Sequence, residues 1–313
     1  MKFFLLLGLL VACAEPRADS VVEMQYERAS FEERQLLNLS RSGMSYDVLP
    51  GDGSFVRAKI LDSKYQNHCL ALSSPKFKRS QVTPGGRGQA LFHVQKDSRV
   101  FLADCISWAP ISGEGVALAI EPVNQSASSD GLKVLIMHPD SYPIADLKEA
   151  LEDLWASHGI VISLRYKTWL REERRLSLAD LANVPLDGVA EQLDAERISD
   201  YEIPVGIVGC LELEDPILGG ISSPAGYAFR IPGGFVAPQK DMVLLQTRDC
   251  GNPDVKIERS ASTDARLIAH EMGHYLGLRH SDKGTIMDPQ PLSQNQLGFS
   301  SSELLQMQQH PSF

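Results

Sequence analysis

Apolar positions are spread unevenly along the 313 residues. From Asp19 to about Pro122 they come in short β-leaning runs, such as Ser54 to Leu61 and Val100 to Ile106. Turn clusters at Pro50-Gly51-Asp52-Gly53 and Pro84-Gly85-Gly86 break these runs, so residues 19–122 are predicted to form a small β-rich domain. The small, polar stretch Asn124 to Gly131 has linker composition, which places a boundary at residues 123–131.

Beyond it the pattern alternates between strand and helix. Leu132 to His138 is an apolar run of strand length. Ser141 and Pro143 then open a helix with Ile144, Leu147, Leu151 and Leu154 on one face and Gly159 as its stop. Ile160 to Tyr166 is a second strand, and a strand–helix–strand unit implies parallel pairing. The charged stretch Arg171 to Asp200 is partly helical and reads as a solvated face. Two further strands, Ile203 to Leu213 and Met242 to Thr247, flank the Gly- and Pro-rich Asp215 to Pro238. The last elements are helices from about Thr263 to Leu276 and about Ser301 to Gln309. Thr263 or Ser262 is expected to cap the first, with Asp264 in its opening turn, and Ser300 with Glu303 makes a capping box for the second. The class is α+β with an α/β-like region from residue 132 to 313.

Composition narrows the partners. The chain is 43% apolar and carries a formal charge of −10. It can bury a real core, and it would repel a phosphate backbone, so proteins or peptides are expected as partners and nucleic acid is not. Residues 1–14 join Lys2 to an apolar run from Phe3 to Ala12 and a small-residue exit, too short for a permanent membrane span, and read as an export signal. Leu10-Val11-Ala12-Cys13 resembles a bacterial lipobox, which would acylate Cys13 and anchor the chain in the cell envelope. Ala12-Cys13-Ala14 also fits a simple cleavage site that would release a secreted chain starting at Glu15. Either exit leaves Cys69, Cys105, Cys210 and Cys250 where disulfides persist. Since two precede the linker and two follow it, Cys69 is expected to pair with Cys105 and Cys210 with Cys250.

The segment His270-Glu271-Met272-Gly273-His274-Tyr275-Leu276-Gly277-Leu278-Arg279-His280 concentrates the chemistry. Residues four apart on a helix lie about 6 Å apart on one face, so His270 and His274 can direct their imidazoles at one ion. Glu271 stands beside that face and can reach water at the metal as a general base. Gly277 can adopt positive φ, end the helix and turn the chain so that His280 supplies a third nitrogen. Three protein ligands leave a fourth zinc position open, as catalysis requires. Three histidines, a glutamate and a glycine at these offsets arise by chance in on the order of one in ten million windows.

HEMGHYLGLRHS resembles the zinc signature of the metzincin metallopeptidases, and within them the matrixin branch, which Gly273, Leu276, Leu278 and Ser281 also match. Thr285-Ile286-Met287-Asp288-Pro289 resembles the Met-turn of that clan, with Met287 beneath the zinc. Asp288 stands where matrixins carry tyrosine, so no tyrosine contact is inferred. The resemblance spans roughly Leu132 to Gln309 and implies a mixed five-stranded sheet over an active-site helix, one catalytic Zn2+, and an extended substrate along an edge strand. Ala228 and Phe229 fall in that edge by similarity, and Pro289, Gln290 and Pro291 would wall the pocket beyond the scissile bond. A structural zinc is not expected, since His138 and His158 fall short of a ligand set. No cysteine switch and no Ca2+ loop are legible. The function implied is a zinc endopeptidase. The alternatives are a surface lipoprotein that binds proteins through its β-rich domain around an inactive peptidase fold, and a zinc amidase acting on cell-wall peptides.

Overall fold

A computed structural model describes residues 26–30, 35–39, 46–47, 54–74, 81–94, 98–105, 111, 116–122, 131–170, 175–178, 188–199, 201–214, 221–229, 231–233, 235–236, 239–281, 284–288, 298–310 and 312–313. The expected export signal with Cys13, and all of the expected linker but Gly131, lie outside the described residues.

The N-terminal part is all β. It comprises β1 (Tyr26–Ser30), β2 (Gln35–Leu39), β3 (Tyr46–Asp47), β4 (Ser54–Ile60), β5 (Cys69–Ser74), β6 (Gln81–Arg87), β7 (Gln89–Val94), β8 (Arg99–Ala103) and β9 (Ala117–Pro122). They form two antiparallel sheets in the orders β1-β2-β9-β4-β7 and β3-β8-β5-β6. Strand periodicity explains the core: Val56, Ala58 and Ile60 of β4 and Ala90, Phe92 and Val94 of β7 are buried. They cluster with Leu118 and Ile120 of β9 and with Leu70, Leu72, Val100 and Leu102 of the second sheet. The expected Cys69–Cys105 disulfide ties the start of β5 to the exit of β8.

The C-terminal part is α+β, built on a mixed five-stranded sheet. Its elements are β10 (Leu132–His138), α1 (Ile144–Ala156), β11 (Ile162–Thr168), β12 (Arg175–Leu178), α2 (Val189–Glu196), β13 (Ile203–Val208), β14 (Cys210–Glu214), β15 (Ile221–Ser222), β16 (Gly226–Ala228), β17 (Phe235–Val236), β18 (Gln239–Lys240), β19 (Val243–Gln246), α3 (Ala261–Tyr275) and α4 (Ser301–Met307). The main sheet runs β11-β10-β13-β19-β16, parallel except for β16 at its edge. Because parallel strands need crossover connections, helices cover this sheet. Leu147, Leu151 and Trp155 of α1, spaced by four, pack with Ile268 and Met272 of α3 against Val134, Ile136, Val205 and Leu245. The opposite face meets α2 and the small sheet β12-β14-β15 through Leu135, Leu244, Leu193 and Leu211.

Three expectations need correction. Pro84-Gly85-Gly86, expected as a turn, lies inside β6, where the register against β5 shifts. The single strand expected over Ile203 to Leu213 is two strands in different sheets, parted at Gly209. The Gly209 carbonyl turns aside to accept from the Thr247 and Arg248 amides, and Cys210 leaves the main sheet to join Cys250 in a disulfide. The cap of α3 is Ser260 rather than Ser262 or Thr263: its side chain accepts from the Thr263 amide, and the helix begins two residues early. Ser300 and Glu303 do form a full capping box on α4.

Candidate metal centre

Helix α3 carries the first two imidazoles. His270 and His274 are 9% and 1% exposed, with ring centroids 4.7 Å apart, as one helical turn dictates. The helix stops where the sequence predicts. The Leu276 amide still bonds to Met272, but Gly277 adopts φ +98° and its amide bonds to the His274 carbonyl, while Leu278 reaches back to Gly273 at 2.8 Å. That reversal returns the chain, and the His280 ring lies 4.7 Å from that of His274 and 5.3 Å from that of His270.

Backbone carbonyls set the tautomers. His270 Nδ1 lies 2.6 Å from the Ile286 oxygen and His274 Nδ1 lies 2.9 Å from the Leu278 oxygen. A carbonyl can only accept, so in both rings Nδ1 carries the hydrogen and Nε2 keeps its lone pair. His274 Nε2 and His280 Nε2 are 3.1 Å apart, and one nitrogen from each of the three rings falls within 4.8 Å of the others. Two nitrogens sharing a tetrahedral zinc at about 2.05 Å would be about 3.3 Å apart, so the donor set fits one such ion. Burial lowers the pKa of all three rings. The His270 and His274 carbonyl bonds oppose it, and Asp288 opposes it at His280. The rings are therefore neutral near pH 7, the form that binds metal.

Glu271 lies beside them, 6% exposed. Burial pushes its carboxyl up to about 8, against the pull of a hydrogen bond donated by the Ala228 amide. Oε2 is buried and finds no hydrogen-bond partner among the described residues. Edge strand β16 approaches closely because Gly226 lacks a side chain: a Cβ there would sit 2.9 Å from Glu271 Cγ. In the sequence Gly226 shows only as a glycine inside a strand, itself a sign of close approach.

Met287 lies fully buried against α3, and a Cβ at Gly273 would overlap its Sδ, so the motif's inner glycine makes room for the methionine. The Ser281 amide donates to the Met287 carbonyl at 2.9 Å. Ser281 Oγ meets Thr285 Oγ1 at 2.6 Å, and Thr285 donates to Glu303 Oε1 at 2.9 Å. Glu303 therefore caps α4 and holds the methionine turn at once, a second role that the sequence does not display.

Ala228 and Phe229 lie buried at the edge strand beside Glu271, with Phe229 edge-on to Tyr227. Pro289, Gln290 and Pro291 lie outside the described residues. His138 contacts the Pro139 oxygen, and His158 accepts from the Phe299 amide. A further cluster, Cys210, Glu212 and Cys250, has both thiols committed to the disulfide.

No protein-family model and no curated protein matches the chain. Among solved structures it is similar to archaemetzincin from Methanopyrus kandleri, with 19% identity, a TM-score of 0.35, and coverage of 60% of this chain and 92% of the other. Metalloproteinase-II from Bacteroides fragilis shares 14% identity at a TM-score of 0.38, covering 91% of this chain and 78% of its own. A zinc-dependent peptidase from Methanocorpusculum labreanum shares 15% identity at a TM-score of 0.33, covering 56% and 99% respectively. At this level of similarity the reading of the centre rests on its own geometry.

Proposed function

We propose that the protein is a zinc endopeptidase of metzincin type. One observation carries the reading: three neutral imidazoles bring one nitrogen each within 4.8 Å of the others, while the buried carboxyl of Glu271, next to His270 on the same helix, has its Oε2 unpartnered among the described residues. A structural site would close with a fourth protein ligand and would have no use for an adjacent base.

His270, His274 and His280 would hold the ion. When bound, zinc supplies Lewis acidity, which acidifies water and polarises a substrate carbonyl. Glu271, beside a bound cation, would be held nearer the ionised form that a base needs. Glu271 takes the proton of the attacking water on Oε2 and returns it to the departing amine. The Ala228 amide keeps the carboxylate oriented through both transfers. Edge strand β16 runs antiparallel to β19, and its outer side offers backbone groups to an extended peptide, which favours cleavage within a chain. Pro289, Gln290 and Pro291 are proposed to wall the pocket for the residue after the cleaved bond. The two disulfides suit an exported chain, and acylation of Cys13 would keep it at the cell envelope.

Glu271→Gln tests the reading. The variant is expected to hold one zinc per chain as the wild type does, and to cleave a peptide blocked at both ends at least about a hundredfold more slowly. Equal turnover by the variant, or a wild type that binds no zinc, would end the proposal.

A further inference from the structure

Strand β4 presents an anomaly of burial. Val56, Ala58 and Ile60 point into the N-terminal core, which puts Phe55, Arg57 and Lys59 on the outer face. Lys59 is exposed and Arg57 half-buried, as an outer face requires. Phe55 is 2% exposed and belongs to none of the hydrophobic clusters of either part.

What buries it is the other half of the chain. The Phe55 ring meets the His310 ring edge-on at a centroid distance of 5.0 Å. Its cross-strand neighbour His93, 5.0 Å away, reaches Gln309 Oε1 through Nε2 at 3.2 Å. His310 is itself fixed. Its Nδ1 accepts from the Ser312 amide at 3.1 Å, so Nε2 carries the hydrogen and donates to the Gly233 carbonyl at 3.0 Å. The Gly233 amide donates to the carbonyl of Tyr275, the residue after His274. A Cβ on Gly233 would overlap the Tyr275 ring, so that approach needs glycine.

Phe55 also faces the turn of the metal motif. A Cβ on Gly277 would lie 3.3 Å from Phe55 Cζ and 3.7 Å from Pro232 Cβ. On its other side, Gln306 Nε2 donates to the Gly277 carbonyl at 2.7 Å. The turn that brings back His280 is thus held between α4 and a side chain contributed from the N-terminal sheets.

We propose that the N-terminal β part is a built-in buttress of the metal centre, with Phe55 as the positioning residue that braces the Gly277 turn and hence His280. The inference rests on the zinc reading above. It makes the first hundred or so residues part of the working unit: their contact keeps the third ligand from swinging out, so metal retention depends on a residue more than two hundred positions away in sequence.

The test uses the full chain and follows zinc release to a chromogenic chelator, with circular dichroism to show that each variant stays folded. Phe55→Ala is expected to release zinc about tenfold faster than wild type, the scale of removing a group that orients a ligand. Phe55→Leu, which keeps apolar bulk, should fall between the two, and it carries the test if the alanine variant does not fold. Lys59→Ala, on the same face of the same strand, should match wild type. Zinc release by folded Phe55→Ala or Phe55→Leu within twofold of wild type would overturn the buttress and leave the peptidase reading intact. So would faster cleavage by Phe55→Ala with unchanged zinc release, since the N-terminal part would then be a cover. A wild type without zinc would remove both.

Discussion

His310 lies fully inside the protein, takes no part in the proposed chemistry and touches both halves of the chain through Phe55 and Gly233. Burial first, and then repulsion from His93, lower its pKa to about 4, although the Gly233 carbonyl pulls the other way. An unfolded histidine titrates near 6.5, so on acidification the unfolded chain binds this proton before the folded one does. The stability that depends on the neutral ring is therefore complete above about pH 6.5 and drains away as pH falls towards 4. By pH 5 the loss from this residue is about 2 kcal/mol relative to pH 7. Unfolding free energies of wild type and His310→Asn from urea titration should draw together by that amount between pH 7 and 5; parallel pH profiles would show that His310 carries no such penalty. At this scale the sequence displays the candidate ligands and conceals their support. His270, His274, His280 and Glu271 are legible because the chemistry dictates both residue type and spacing. Gly226, Glu303, His310 and Phe55 act through partners far along the chain: a strand glycine and a capping box mark the first two locally without naming those partners, and no local pattern marks His310 or Phe55.

Among the elements, α3 depends most on its first turn, where Ser260 accepts from the Thr263 amide and Asp264 pairs with Arg259 at 2.5 Å. Tyr142, leading into α1, donates to the same carboxylate at 2.6 Å, and the Arg259 guanidinium also donates to the Gln246 carbonyl at the end of β19. Ser260→Ala should cost about 1 kcal/mol in urea unfolding while zinc content stays unchanged, because the cap lies at the opposite end of the helix from His274. A loss of zinc with that substitution would mean that the helix transmits fraying along its length. Helix and strand positions were largely readable from periodicity: β10 falls on Leu132–His138, β11 is displaced by two residues, and Gly159 and Gly277 stop their helices with positive φ. The cap of α3 was not, since Ser260, Ser262 and Thr263 are equivalent by type and only the observed hydrogen bond chooses among them. The break at Gly209 escaped for a related reason. A continuous apolar run gives no sign that its two halves serve different sheets.

For the molecule as a whole, each half carries one disulfide between residues well separated in sequence, 36 positions for Cys69–Cys105 and 40 for Cys210–Cys250. The second anchors β14 to the turn after β19, beside Ser223 and the approach to edge strand β16. Removing it as Cys210→Ala with Cys250→Ala should lower the unfolding free energy by roughly 4 kcal/mol on loop entropy. Non-reducing urea titration measures this, and an unchanged midpoint would show that the bridge only records a proximity maintained by packing.

The order of residues by itself determined the β-rich and α+β halves, both disulfide partners, the three clustered histidines with their neighbouring carboxylate, and the glycine turn that unites them. These follow from short-range spacing, from turn chemistry and from which cysteines share a half. Tertiary structure decided which carbonyls orient the imidazoles, how closely the edge strand approaches Glu271, and that Phe55 leaves its own sheet's core to brace the Gly277 turn. Those contacts join residues remote in sequence, and packing alone selects them.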